Sequence, residues 1–195
     1  CIVMITVTSS VIAKKSDFAI NEIGSLYMSA MAKQMQEKFD TVVDMQISEL
    51  NGIVQRHPPD SVEYDQEMFD QLALSAQVRD FVYLGLYTED GESETIYGSD
   101  VEYDSEITFR SVLDDSSLRV FSGTSAEGEK VLCMLVNAQY PMRNGKISSA
   151  IVAATPMEDL ENVLALDDDS ALMYSFIIRA DGTYVVRNRQ ETDYF

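Results

Sequence analysis

Five side chains have the type and setting to hold a small molecule. Arg110 is a cation in an acidic stretch, flanked by Phe109 on a run with short-helix character. Arg119 precedes Val120 and Phe121 on a strand-like run, and alternation puts it on the same face as Phe121, opposite Val120. Tyr83 and Tyr87 share one face of the run 81–87 with Phe81, and Tyr140, before Pro141 at a strand end, sits at a rim position. Guanidinium and phenol groups bind through hydrogen bonds, the first only donating, the second donating and accepting. Each has a structural alternative. Arg110 can pair with Glu106 one turn away, and an aromatic stripe on a strand can be core.

The inventory for covalent chemistry is thin. One histidine, His57, and two cysteines, Cys1 and Cys133, cannot build a zinc site or a Cys–His pair within the chain. Cys133 lies in the apolar run 131–136 and reads as a small buried hydrophobe. Asp114-Asp115 and Asp167-Asp168-Asp169 lack the alternate-position ligands, central glycine and closing glutamate of a calcium loop, and read as solvated acidic segments. There is no phosphate loop, no Gly-x-Ser-x-Gly elbow and no two-histidine zinc helix. The expectation is a chain with no catalytic residues, no metal and no cofactor.

Charge narrows the partners. Of 195 residues, 33 are Asp or Glu and 14 Lys or Arg, a formal charge of -19. Such a surface repels phosphate backbones, so nucleic acid is excluded as a partner. The imbalance is uneven: residues 1–56 carry net -1 and residues 57–195 net -18. The two parts have different jobs.

The elements that would position these residues follow from periodicity. Residues 1–13 are apolar or small and are followed by Lys14-Lys15; they are too short to span a bilayer and read as the end of a cut transmembrane helix or as a helix start. From Ser16 or Asp17 as cap, Ile20, Ile23, Tyr27, Met31, Met35, Phe39, Val42, Gln46, Leu50 and Ile53 recur at helical steps, until Pro58-Pro59 stops the run. That predicts a helix of about 35–40 residues, over about 50 Å long, with two helices broken near Gly24 as the alternative. A shorter helix over 60–80 would face inwards with Met68, Phe69, Leu72, Leu74 and Val78. Five strands follow: 81–87, 94–97, 118–121, 130–137 and 147–154. A brief helix at 105–113 lies between the second and third, turns at 88–91 and 122–128, and an Asn144-Gly145 hairpin signal before the fifth. A helix at 157–166 comes next. Beyond Asp167–Asp169, the runs 174–178 and 183–187 flank the turn Arg179-Ala-Asp-Gly182 and repeat the opening of the first sheet.

The fold class is therefore α+β: a long N-terminal helix packed on a five-stranded antiparallel sheet, then the start of a second such module. The expected organisation is a helix start or membrane segment at 1–15, a long helix at 16–56, a sheet module at 57–166, and at 167–195 a linker with the first hairpin of a second module. The chain reads as a fragment of a longer polypeptide.

The stretches 81–97, 136–146, 149–164 and 174–187 resemble the double-Cache (tandem PAS-like) extracellular sensor domain, over roughly residues 16–195. The resemblance implies a non-enzymatic sensory ectodomain of a membrane-anchored receptor. A long helix would pair in a homodimer, an unknown small-molecule ligand would sit in the membrane-distal module at 81–155, and a cytoplasmic histidine kinase, diguanylate cyclase or chemotaxis module would receive the signal. It implies a location at the cell membrane with this domain extracytoplasmic. In the amino-acid-binding subset, Arg110 matches the arginine that grips a carboxylate. However, Val112 and Leu113 stand where an aromatic pair belongs, and Thr155 where an amine-holding Asp belongs. The resemblance thus implies a ligand other than an amino acid, or none.

Overall fold

A computed structural model describes residues 2–58, 63–103, 119–164, 176–178 and 184–187, with side chains over 22–58, 63–103 and 119–160. It divides into two compact units, Cys1–Asp40 and Thr41–Phe195.

Helix α1 runs unbroken from Ile2 to Arg56, 55 residues. The expected cap at Ser16 or Asp17 is not a helix start, because the small and apolar residues before it are themselves helical. Gly24 does not break it either; one interior glycine costs only about 1 kcal/mol. The end falls where the prolines dictate: the residue before a proline is pushed out of the helical region, and His57 precedes Pro58. Arg56 Nε donates to the Gly52 carbonyl at 3.0 Å and closes the last turn. In the first unit, Ile23, Leu26, Tyr27 and Met28 are all more than half exposed.

In the second unit, α2 (Gln66–Gln77) starts at Asp65, whose carboxylate accepts from the Glu67 amide at 2.9 Å. Its buried face is Phe69, Leu72 and Ala76. Leu74 and Val78, expected to face inwards, are exposed, because the stripe follows the 69–72–76 spacing and Leu74 falls on the opposite side.

Six strands, not five, form the sheet: β1 (Tyr83–Tyr87), β2 (Ser93–Gly98), β3 (Val101–Tyr103), β4 (Val120–Ser125), β5 (Lys130–Asn137) and β6 (Ala150–Pro156), in the order β2-β1-β6-β5-β4-β3 and antiparallel throughout. β3 is too short to show a period. β4 extends beyond Phe121 because Ser122, Gly123 and Thr124 pair with Leu132, Val131 and Lys130. The Asn-Gly pair does make a tight turn: the Gly145 amide donates to the Met142 carbonyl at 3.0 Å, with Gly145 at φ 79. β6 begins at Ala150 rather than Ile147, which makes only an isolated bridge to Pro141. Helix α3 (Met157–Leu164) follows, and β7 (Phe176–Ile178) pairs with β8 (Tyr184–Arg187) as the expected hairpin. The expected helix at 105–113 lies outside the described residues.

The sheet is strongly curled. Its two edge strands, β2 and β3, are joined by Ser99-Asp100 alone. Three residue steps reach at most about 11 Å, whereas five flat strand spacings would cover about 24 Å. Gly98 makes the crossing possible: its φ is 80, and a Cβ there would lie 1.9 Å from the Val82 carbonyl oxygen.

Alternation splits the side chains into two cores. One face, with Leu84, Leu86, Met134, Val136, Ile151 and Ala153, packs on Leu50 and Ile53 of α1 and on Phe69, Leu72 and Ala76 of α2. The other face carries Tyr83, Tyr87, Phe121, Cys133, Leu135, Val152 and Ala154, with Val101 and Tyr103 packed against it.

Candidate functional site

The second face is the concave one, and tyrosines prove it. Tyr103 on β3 donates its hydroxyl proton to Tyr87 Oη on β1, although three strands separate β3 from β1 in the sheet order. Tyr87 Oη lies 2.7 Å from Tyr83 Oη. Thr95, which pairs with Gly85 in the register, donates to the Asp100 carboxylate at the crossing. The rings are packed as well: Tyr103 stands edge-on to Phe121 at 5.0 Å and tilted to Tyr87 at 6.0 Å.

Gly85 shapes this arrangement. Tyr83 leans along β1, so that a Cβ at position 85 would lie 2.1 Å from its hydroxyl oxygen. Burial pushes the phenols of Tyr83, Tyr87 and Tyr103 far above the ordinary value near 10, with the neighbouring phenol the second cause in each case. All three stay neutral at any physiological pH.

The predicted residues fare differently. Tyr83 and Tyr87 share the concave face as expected, but Phe81 does not join them; it lies before β1 and packs in the helix-side core. Arg119 continues the alternation beyond β4: the Leu135 amide donates to its carbonyl at 2.9 Å, which aligns it with a concave-face leucine. Its Nε is buried and has no hydrogen-bond partner. Tyr140 is not at a rim. It is fully buried in the helix-side core, its hydroxyl donates to the His57 carbonyl at 2.8 Å, and burial pushes its phenol up to about 12. Thr155 is also misplaced by the resemblance. It lies between Ala154 of the concave face and Pro156, so alternation turns it towards the helix side. Arg110, with Glu106, Asp114 and Asp115, lies outside the described residues, as do Asp167, Asp168 and Asp169.

Tyr103, Thr95, Asp100 and Gly85 were missed. Strand alternation alone could have put Gly85 beside Tyr83 and Tyr87. Nothing local could have joined Tyr103 to them, because that contact depends on the curl.

A cleft of about 890 Å³ opens where β6 passes into α3. Tyr83, Val101 and Val131 line it from the concave face, and Asp80, Glu127, Glu129 and Asp159 from its rim. Of the predicted residues that the structure describes, only Tyr83 reaches it, and the cleft adjoins the concave-face cluster through Tyr83, Val101 and Val131. Among the described residues no cluster is placed to hold a metal ion, and no helix is long and apolar enough to cross a membrane.

The fold recurs in solved structures. The ligand-binding domain of the Pseudomonas aeruginosa amino acid chemoreceptor PctB, in complex with L-Gln, matches with TM-score 0.57 at 15% identity, over 84% of this chain and 68% of that one. The same domain with L-Arg matches with TM-score 0.58 at 15% identity, over 84% of this chain and 65% of that one. The domain of PctC in complex with GABA matches with TM-score 0.53 at 15% identity, over 82% and 74%. The chain shares the fold of these chemoreceptor ligand-binding domains. The α+β architecture expected from the resemblance is thus present, with one strand more. No protein-family model matches the chain, and no curated protein matches it. At 15% identity the likeness is one of fold, and the site must be argued from this chain's own residues.

Proposed function

We propose that this chain is the extracytoplasmic small-molecule-sensing domain of a membrane-anchored signalling receptor, with its ligand on the concave face of the curled sheet. The observation that carries the reading is Arg119, whose buried Nε has no partner, on a face that also holds a chain of neutral phenols. A buried guanidinium proton without an acceptor is costly, and an anionic or carbonyl group of a ligand would satisfy it. The solved domains of the same fold are in complex with L-Gln, L-Arg and GABA, which supports a small molecule. Arg119, Tyr83 and Tyr87 are the proposed ligand-binding residues, with Arg110 as a fourth; Tyr140, in the helix-side core, is not among them.

Signalling would be a population shift: ligand favours one arrangement of the sheet and biases α1. In the proposed assembly α1 pairs with a second copy, the full-length protein is anchored in the membrane, and a cytoplasmic kinase, cyclase or chemotaxis module reads the displacement. Residues 167–195 begin a second module.

A second reading, a protein-interaction ectodomain with no small-molecule ligand, draws on one observation: Tyr83, Tyr87, Tyr103 and Phe121 already fill part of the concave face. A thermal-shift screen against a metabolite set separates the two. A true ligand at about 100 times its Kd stabilises by about 2.7 kcal/mol, and Arg119→Ala should weaken its binding by about tenfold or more. No stabilising compound, with tight binding of a protein partner, would establish the second reading instead.

A further inference from the structure

The chain has two Asn-Gly pairs, Asn51-Gly52 and Asn144-Gly145. Such a pair carries its own reaction. Glycine has no Cβ to shield its amide nitrogen, and that nitrogen, once deprotonated by hydroxide, can attack Cγ of the asparagine before it. The N–Cγ bond forms, the Cγ–Nδ2 bond breaks, and the amide leaves as ammonia with a proton from water. Water then opens the cyclic imide. Opening at Cγ leaves an aspartate; opening at the backbone carbonyl leaves an isoaspartate, with the chain rerouted through the side chain. In net, one water enters, one ammonia leaves, and nothing is oxidised.

The structure separates the two pairs. Gly52 lies inside α1, where its amide belongs to the helical ladder. Its carbonyl accepts from Arg56 Nε at 3.0 Å, and Leu50 and Ile53 beside it are fully buried. Freeing that nitrogen means pulling the end of α1 out of the core. Asn144 and Gly145 are exposed in the turn between β5 and β6, and nothing lies within 4 Å of where a Gly145 Cβ would be. Hydrogen bonds hold this turn closed. The Gly145 amide donates to the Met142 carbonyl at 3.0 Å and the Met142 amide to the Lys146 carbonyl at 2.8 Å. The Lys146 amide donates to Asn144 Oδ1 at 2.9 Å, and Asn144 Nδ2 to Glu92 Oε2 at 3.1 Å. The first of these occupies the nucleophile and the last two the group it must attack. Both bonds of the Asn144 side chain are exposed, and such turns open at little cost.

We propose that Asn144 is a site of spontaneous modification, converted to aspartate and isoaspartate when the 142–146 turn opens, with Glu92 as the clasp that sets the rate. The product cannot rebuild the clasp. An amide that donates to Glu92 becomes a carboxylate that only accepts, and Glu92, paired with Lys146 Nζ at 2.5 Å, meets a like charge. Isoaspartate also adds a backbone carbon inside a turn that both Met142 bonds close. Modification therefore loosens this turn from the β1–β2 connection, which carries Glu92. None of this depends on a ligand.

The folded protein, incubated at mildly alkaline pH, is digested, and each Asn-Gly peptide is read by mass and by isoaspartyl methyltransferase labelling. Asn144 should convert about tenfold faster than Asn51, or more. In denaturant the two rates should converge, because the fold no longer distinguishes them. Glu92→Ala should speed conversion of Asn144 several-fold in the folded protein and leave Asn51 unchanged. Asn144→Gln, whose longer side chain closes the ring poorly, should abolish the signal from that peptide. Equal rates at Asn51 and Asn144 in the folded protein, or no conversion of Asn144 there, overturn the proposal. An unchanged Asn144 rate in Glu92→Ala overturns the clasp, and so does a matching rise at Asn51, which would report general unfolding.

Discussion

Tyr83 and Gly85 are a matched pair, since the phenol occupies the space a side chain at 85 would need. Gly85→Ala should destabilise the fold by about 1–3 kcal/mol through overpacking, and shortening residue 83 as well, as in Tyr83→Leu, should recover part of that loss in a double-mutant cycle. Tyr140→Phe should cost about 1–3 kcal/mol, because it leaves the His57 carbonyl without its donor, and should leave ligand affinity unchanged. The buried phenols also set an alkaline limit. Tyr83, Tyr87, Tyr103 and Tyr140 hold their protons more tightly folded than unfolded. Their stabilising effect is complete below about pH 10, the unfolded value, and is lost as the pH rises towards the folded values. Denaturant titrations at about pH 8, 10 and 11 should show stability falling above about pH 10 by up to about 1.4 kcal/mol per pH unit for each phenol; a flat profile would contradict the burial. At this scale the sequence was half legible. Tyr83 and Tyr87 could be placed by alternation, but Tyr140 is defined by a partner 83 residues away, and Tyr103 by a strand from which three others separate it in the sheet order.

The crossing between β2 and β3 is what turns a sheet into a cup. Gly98→Ala forces a side chain into the left-handed region and against the Val82 carbonyl, so it should cost about 1–3 kcal/mol for the backbone alone. It should also release the tyrosine contacts that depend on the curl, read as phenols that titrate nearer to the ordinary value. A variant that melts like the wild type would mean that the crossing bears no strain. A conventional core change, Leu72→Ala in α2, should cost about 2–5 kcal/mol with no effect on those phenols. Strands with a full period were legible: the run 130–137 is β5 to the residue. Val101–Tyr103 was not, because three residues cannot display a period of two, and α2 was turned too far because Leu74 and Val78 imitate a stripe whose true members are Phe69, Leu72 and Ala76. The cap at Ser16 failed for a different reason. A capping residue marks a helix start only when the residues before it are unable to be helical.

For the molecule as a whole, the division of charge in the sequence corresponds to a division between elements. The nearly neutral segment is α1, and the acidic segment carries α2, the curled sheet and the residues C-terminal to it. The β7–β8 pairing was readable because its two runs have strand character, whereas the curl was not, because it arises from a two-residue link that resembles any other turn. The fold places Arg119 and the phenols on one face, away from the helix-side core, and that separation would let the proposed ligand act on the sheet without displacing that core. The most direct measurement is a crystal structure grown with the compound that most raises the melting temperature. Density on the concave face, in contact with Arg119 and the Tyr83–Tyr87–Tyr103 cluster, is the expected result. Density confined to α1 or to the outer rim of the cleft at Glu127, Glu129 and Asp159, with that cluster unchanged, would contradict it.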